Sequence, residues 1–236
     1  MIRGFYSGAS GLIAQQSNLD VVANNMANTG TVGYKPQKAN FQTLLYENVN
    51  GALPPISTGH GTRIQQVTTN FKAANLQKTD AELDFAIVDN DGFFAIETPD
   101  EEANIYYTRA GNFQWLVDGD TRTLVTGNGE YVLDADGSHI ELDADQEIEP
   151  GMIGVFDMPN PYGMMPVGSN RYALTDASGE AEVVENLKPV QGYLENSKTD
   201  IAAEMVKMIE ASRAFSMNAK VVTTADEIEQ TVNSLR

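Results

Sequence analysis

Two stretches at opposite ends of the chain constrain its fold more than anything between them. At the N-terminus Ile2, Phe5, Ala9, Leu12, Gln16, Leu19, Ala23 and Met26 recur by threes and fours without a break, the spacing of a heptad seam. At the C-terminus Ile201, Met205, Met208, Ser212, Phe215, Ala219 and Val222 repeat in the same way. Ala225, Ile228, Val232 and Leu235 resume after one short step, as the drift of a 3.6-residue helix against a 3.5-residue repeat requires. No glycine or proline follows Gly192, so a helix from Lys198 to Leu235, about 57 Å long, is uninterrupted. Ser197 followed by Asp200 has the spacing of a capping box at its start.

Beside the N-terminal seam runs a second line, Gly4, Gly8, Gly11, Gln15 and Asn18, small and polar rather than charged. Each interior glycine costs a helix about 1 kcal/mol relative to alanine, and an isolated helix of this length is marginal in water. Alone it should fray. A surface helix lying on its own domain is the plainer alternative. The sharper reading is a helix that becomes stable only when its seam and its Gly4-Gly8-Gly11 face are buried against other helices.

Asn28-Thr29-Gly30 stops the first helix, and residues 31–75 read as a connecting arm, with a loop from Asn48 to Gly61 punctuated by Asn50-Gly51, Pro54-Pro55 and Gly59. Beyond it, short apolar runs alternate with turn dipeptides. Phe85 to Val88 and Phe93 to Ile96 flank Asp91-Gly92, and Ile105 to Thr108 and Phe113 to Val117 flank Gly111-Asn112. Asp118-Gly119, Asn128-Gly129 and Asp136-Gly137 divide the runs at Leu124-Val125, Tyr131 to Leu133 and Ile140 to Leu142. These spacings predict hairpins and an antiparallel β domain over residues 76–194. With helices at residues 1–30 and 195–236, the fold class is α+β.

The net charge of −18 is concentrated in that middle: residues 80–150 hold 19 acidic side chains against Arg109 and Arg122, while the remainder carries 14 acidic and 13 basic ones. Such a surface repels phosphate backbones and anionic lipid, so nucleic acid is not an expected partner. The near-neutral ends can pack closely. Nowhere does an apolar run approach 18 residues, so no membrane insertion is expected. Gln15, Gln16, Asn18 and Asp20 interrupt any h-region of a cleavable signal peptide.

No catalytic or metal site is expected, and no cofactor. The chain has no cysteine and two histidines, His60 in a glycine-flanked loop and His139 after a turn, neither in a triad motif. Gly8-Ala9-Ser10-Gly11 is not a nucleophile elbow, because its second glycine comes one residue early. Asp134, Asp136, Ser138 and Asp145 have calcium-loop spacing, but His139 stands where the sharp turn needs glycine.

With both ends in view the chain resembles the rod and hook axial proteins of the bacterial flagellum. The N-terminal likeness lies in Leu19-Asp20, Ala23-Asn24-Asn25-Met26-Ala27-Asn28 and Thr31-Val32-Gly33-Tyr34-Lys35. The central one lies in Leu83-Asp84-Phe85-Ala86-Ile87 and Tyr107-Thr108-Arg109-Ala110-Gly111-Asn112-Phe113. Gln191-Gly192-Tyr193-Leu194-Glu195, Glu204 to Ile209, Arg213-Ala214-Phe215 and Asn218 to Val222 complete it. Departures are local: Met26 where leucine is usual, Lys198-Thr199-Asp200 for Asn-Val-Asp, and Phe215-Ser216 for Tyr-Glu. The segment Tyr46–Gly59 is shorter than the arm of typical distal rod proteins, which leaves distal and proximal subunits both open.

The resemblance implies a structural subunit of the basal-body rod, not an enzyme, stacked helically and transmitting torque to the hook. It implies partners in copies of itself, other rod and hook axial proteins and the flagellar type III export apparatus, and a periplasmic location reached without cleavage. The expected assembly interface comprises Ile2, Phe5, Gly8, Gly11, Leu12, Leu19 and Met26 on one helix, and Met205, Met208, Phe215, Val222, Ile228 and Leu235 on the other. A secreted acidic β-domain binding protein, with its helices as an oligomerisation handle, is the rival from another class.

Overall fold

A computed structural model describes residues 2–49, 56–89, 92–99, 104–119, 121–143, 146–184 and 187–235. The side chains of Ile2, Arg3, Asn48, Val49, Ile56 and Asp118 are outside that description. So are the predicted turns at Asn50-Gly51 and Pro54-Pro55, and Asp91 and Asp145. The chain divides into two compact units, one of residues 1–27, 37–69 and 200–236, the other of residues 28–36 and 70–199.

The first unit contains both long helices, α1 (Ile2–Ala27) and α2 (Ile201–Ser234). Asp200 caps α2 by accepting from the Ala202 and Ala203 amides at 3.0 and 3.3 Å. The cap therefore lies three residues beyond the expected Ser197, whose hydroxyl instead accepts from the Thr199 amide. Between the helices in sequence come β1 (Gln37–Thr43), β2 (Tyr46–Val49), β3 (Ile56–Gly59) and β4 (Thr62–Thr69). β1 pairs antiparallel with β4, and β2 with β3. The expected loop from Asn48 to Gly61 thus carries a strand ladder. The segments flanking it, read as connecting arm, form the longer β1–β4 pair.

The second unit is the β domain: β5 (Leu76–Lys78), β6 (Phe85–Ala86), β7 (Phe93–Glu97), β8 (Ile105–Thr108), β9 (Phe113–Asp118), β10 (Thr121–Thr126), β11 (Tyr131–Val132), β12 (Glu141–Asp143), β13 (Val155–Asp157), β14 (Met165–Gly168), β15 (Arg171–Ala173), β16 (Glu182–Val183), β17 (Val190–Gln191) and β18 (Tyr193–Glu195). All of its pairings are antiparallel, and the main sheet runs β12-β10-β11-β7-β8-β15-β14. β7 is buried on both faces, which is why its sequence does not alternate. Phe94 and Ile96 enter one core with Phe113, Leu124 and Val132, and Phe93 and Ala95 enter a second with Phe71, Phe156 and Tyr172.

Two expected hairpins are not formed. β6 pairs with β17 rather than with β7, and β8 pairs with β7 and β15 rather than with β9. β7 pairs with β8 instead, and beyond the ladder the Thr98 amide donates to the Asn104 carbonyl at 3.1 Å. Gly111 is small because Phe85 presses on it, not because the chain reverses there. Asp118-Gly119 and Asn128-Gly129 do join neighbours, β9 to β10 and β10 to β11.

Candidate assembly interface

In the helical unit the contacts fix α1 and α2 as an antiparallel pair. Asn25 meets Glu204 at 3.3 Å, Gly11 faces Asn218, and Gly8 faces Val221 and Val222. A Cβ on Gly11 would stand 2.8 Å from the Asn218 amide nitrogen, and one on Gly8 3.0 Å from the Val222 methyl. The interaxial distance of packed helices depends on the side chains between them, so the glycine line, not the apolar seam, takes the closest approach. Opposite it α2 offers Glu204, Met208, Ala211, Phe215, Asn218, Val222 and Ala225, again spaced by threes and fours and all buried or half-buried.

Asn25 also secures the first strand. Its side chain donates to the Gln37 carbonyl at 2.7 Å and accepts from the Gln37 amide at 2.8 Å, as a neighbouring strand would. Glu204 is neutralised by Lys207 at 2.6 Å. Buried polar side chains at a helix seam fix register, because a slip leaves them unsatisfied.

The expected interface residues divide accordingly. Gly8 and Gly11 are buried against α2 of the same chain, and Met208, Phe215 and Val222 are half-buried on the facing side. Leu12, Leu19 and Met26 are half-buried. Phe5, Met205, Ile228 and Leu235 are exposed at 39, 50, 45 and 83%. Ile2 lies outside the described side chains. Ala14, Val22, Asn25, Glu204 and Ala211, none of them among the expected interface residues, are all buried; on α1 the line through Gly8, Gly11 and Asn18, continued by threes and fours, leads to Val22 and Asn25.

In the β unit, three charged side chains converge in a space closed to solvent. Lys35, Arg109 and Glu195 are each 1% exposed. Glu195 accepts from the Lys35 ammonium at 2.6 Å and from the Ala74 amide at 2.7 Å, and its other oxygen lies 3.7 Å from Arg109. Arg109 donates to the Asp89 carbonyl at 2.9 Å and sits over the Phe93 ring at 5.0 Å. Lys35 also donates to the Lys72 carbonyl, while the Gly33 amide donates to the Glu195 carbonyl and the Lys198 amide to that of Tyr34. The cluster ties together the three passages by which the chain enters and leaves this unit.

Burial pulls the Lys35 ammonium down from 10.5 to about 8; the Glu195 carboxylate opposes this and Arg109 adds to it. With the folded value below the unfolded one, the unfolded chain holds more protons between pH 8 and 10.5, so stability rises with pH through that window. Above about pH 10 Tyr107 and Tyr172, raised by burial, work in the opposite direction. The unfolding free energy is expected to climb from pH 8 to pH 10 by on the order of 2 kcal/mol, raising the urea midpoint by about 1 M. Lys35→Met should abolish the climb; a wild-type midpoint that falls across the window would contradict the assignment.

Comparison with known proteins bears on what these contacts serve. Residues 5–35 match the family described as "Flagella basal body rod protein", residues 87–154 the "Flagellar hook protein FlgE/F/G D1 domain", and residues 190–235 the "Flagellar basal body rod FlgEFG protein C-terminal". The chain is similar along its whole length to the flagellar basal-body rod protein FlgG of Bacillus subtilis, 34% identical with all of both chains covered. It is equally similar to FlgG of Borreliella burgdorferi, 34% identical over all of this chain and 99% of that one. The chain belongs to the flagellar basal-body rod protein family.

It is a structural subunit of the basal-body rod and assembles there with other flagellar axial proteins. Each of the three matched segments of this rod protein contributes one member of the buried cluster: Lys35, Arg109 and Glu195. The first and last also supply Asn25 and Glu204. The other polar groups weighed from sequence are engaged locally. His139 meets Glu97 at 2.6 Å and stacks on Tyr131, and His60 lies 2.9 Å from the Leu45 carbonyl. Asp134 to Ser138 is a tight turn, and among the described residues no three metal-binding side chains come together. No helix among them is long and apolar enough to cross a membrane.

Proposed function

We propose that this rod subunit polymerises helically through its paired terminal helices, delivered uncleaved by the flagellar type III export apparatus to the periplasmic rod, where it transmits torque. The observation that carries this reading is the apolar surface left over after the helices have paired. Ile13 and Met217, exposed at 70 and 61%, join Phe5, Met205, Ile228 and Leu235 on the outside of a helix pair whose inner face is already filled. Large apolar side chains left exposed along both helices are the material of an interaction site. The glycines that make α1 weak alone favour passage before folding, and α2 supplies the first of the partners that order it.

Leu19→Asp tests the interface. Leu19 is half-buried beside the α2 contact, so the β unit should fold unchanged. Each intersubunit contact that buries the new carboxylate should lose on the order of 2–4 kcal/mol, about thirtyfold or more in occupancy. Immunogold labelling of purified hook-basal bodies should therefore show the variant missing from the rod. Normal rods built from it would overturn the proposal.

A further inference from the structure

The main sheet ends at β14 and β12, and both strands are closed to further pairing. β14 contains Pro166 with a register shift beside it, and β12 is three residues long with Glu141 and Asp143 exposed. Proline, irregular register, shortness and charge are the usual devices that keep a strand edge from pairing. β9 has none of them from Phe113 to Val117, and among the described residues β10 is its one strand partner. The Phe113 amide donates to the Leu83 carbonyl at 3.3 Å, on the side away from β10. Alternation along an antiparallel strand turns the amides and carbonyls of Trp115 and Val117 the same way. The chain that begins to cover this edge leaves it at once: Asp84 bridges Asn112, and the segment before it closes a turn with the Asp84 amide on the Ala81 carbonyl. Among the described residues no backbone group meets Trp115 or Val117 on that side, and the Val117 side chain is 63% exposed.

Beside the open edge lies a cleft of about 480 Å³. Its apolar lining includes Leu83, Trp115 and Ile148; its charged lining, among the described residues, is Asp80, Glu82, Glu147 and Arg122. Trp115 and Val117 share one face of β9, so alternate side chains of an added strand would drop toward the cleft. We propose that the β9 edge takes up an extended segment of a partner protein by strand addition, with a lysine or arginine of that segment seated in the cleft. Every charge in the lining bears on the choice. Lys78 answers Asp80 at 2.8 Å, and Arg122 lies over the Trp115 ring at 5.8 Å. Glu82 and Glu147 meet no cation among the described residues. A second copy would bring its own acidic surface to the edge, since residues 80–150 hold 19 acidic side chains against Arg109 and Arg122. That field keeps copies apart and steers a cationic strand inward.

Trp115 is the only tryptophan, so its fluorescence reports the cleft directly. The purified chain is titrated with a short peptide of alternating threonine and valine that carries a central lysine. Saturation should change the Trp115 emission and slow amide exchange at Trp115 and Val117. A peptide with glutamate in place of the lysine should bind roughly tenfold more weakly or worse. The lysine peptide should lose as much on the Glu82→Gln/Glu147→Gln double variant, whose urea midpoint should hold because both glutamates are exposed. Val117→Pro removes an outward donor, leaves the bonds to β10 in place, and should abolish binding. No emission change up to the solubility limit of the lysine peptide overturns the proposal. So does equal binding of the glutamate peptide, or undiminished binding by Val117→Pro. Protection of the same two amides as the unmodified chain is concentrated without peptide would make the occupant a second copy, and would overturn it too.

Discussion

Glu195→Gln is expected to remove a large fraction of the stability of the β unit. The glutamine keeps the shape of the side chain, and its oxygen can still accept the Ala74 amide, so packing is not what changes. The variant removes the one negative charge that faces both the Lys35 ammonium at 2.6 Å and the Arg109 guanidinium at 3.7 Å in a space closed to water. Breaking a buried pair by deleting one partner costs about 3–5 kcal/mol, because the other charge is left uncompensated. Set against the 5–15 kcal/mol that holds a typical domain together, this is a large fraction. With about 1–3 kcal/mol per molar urea, the midpoint should fall by roughly 1–3 M. Glu195 holds the Lys35 ammonium up against burial, so in the variant Lys35 loses its proton below the wild-type value of about 8; the deficit should shrink as pH rises toward 8 and stay level above it, where the wild type gains equally. An unshifted midpoint at pH 7 would show that the cluster does not hold this unit.

Neither this cluster nor its role was legible in the sequence, although all three residues stand inside recognisable motifs. Lys35, Arg109 and Glu195 are separated by 74 and 86 positions, and nothing local announces that a lysine after Gly33-Tyr34 will be buried. Charge reads as surface until its counter-charge is placed, and placing it needs the topology that brings residues 28–36 into the β unit. The strands themselves were legible from their apolar runs. Their partners were not, because a turn dipeptide reports that the chain bends and says nothing about what it bends toward. Phe85 to Val88 met β17 instead of its neighbour in sequence for that reason.

The helices were legible in extent, and their partnership was only half so. Period and the absence of glycine and proline located α2 to within a few residues. The expected interface takes the Phe5-Leu12-Leu19-Met26 seam together with Gly8 and Gly11, without separating the side that meets α2. Burial in this pair follows close approach rather than apolarity: Gly8 and Gly11 let the helices touch, and Val22, Asn25, Glu204 and Ala211 fill the line they open. The conspicuous apolar residues are left half-covered beside it, which is the arrangement a filament subunit needs, since a seam consumed within the chain has nothing left for its neighbours.

Gly111→Ala should be the most damaging small substitution in the β unit. The added methyl would stand 1.8 Å from the Phe85 carbonyl oxygen and 3.3 Å from the Phe94 ring, and neither can retreat. Phe85 is fully buried, its amide donates to the Gly111 carbonyl at 2.9 Å, and its strand is held on the far side by Gln191. Asp84 and Asn112 bridge the same two segments next door. Relief therefore requires parting β6 from the turn before β9, which opens the core around Phe85, Phe94 and Phe113. A loss of about 3 kcal/mol or more is expected from overpacking against fixed backbone. Gly129→Ala is the control, because Gly129 has φ +86 but open space around it, so only the left-handed backbone is penalised, by about 1–2 kcal/mol. Urea midpoints should rank Gly111→Ala well below Gly129→Ala, and near-equality would mean that β6 yields. If the ranking holds, the glycine in Arg109-Ala110-Gly111-Asn112 serves contact between strands. The same motif then does two jobs within three residues: Arg109 closes the charge cluster while Gly111 lets β6 lie against the segment that carries it.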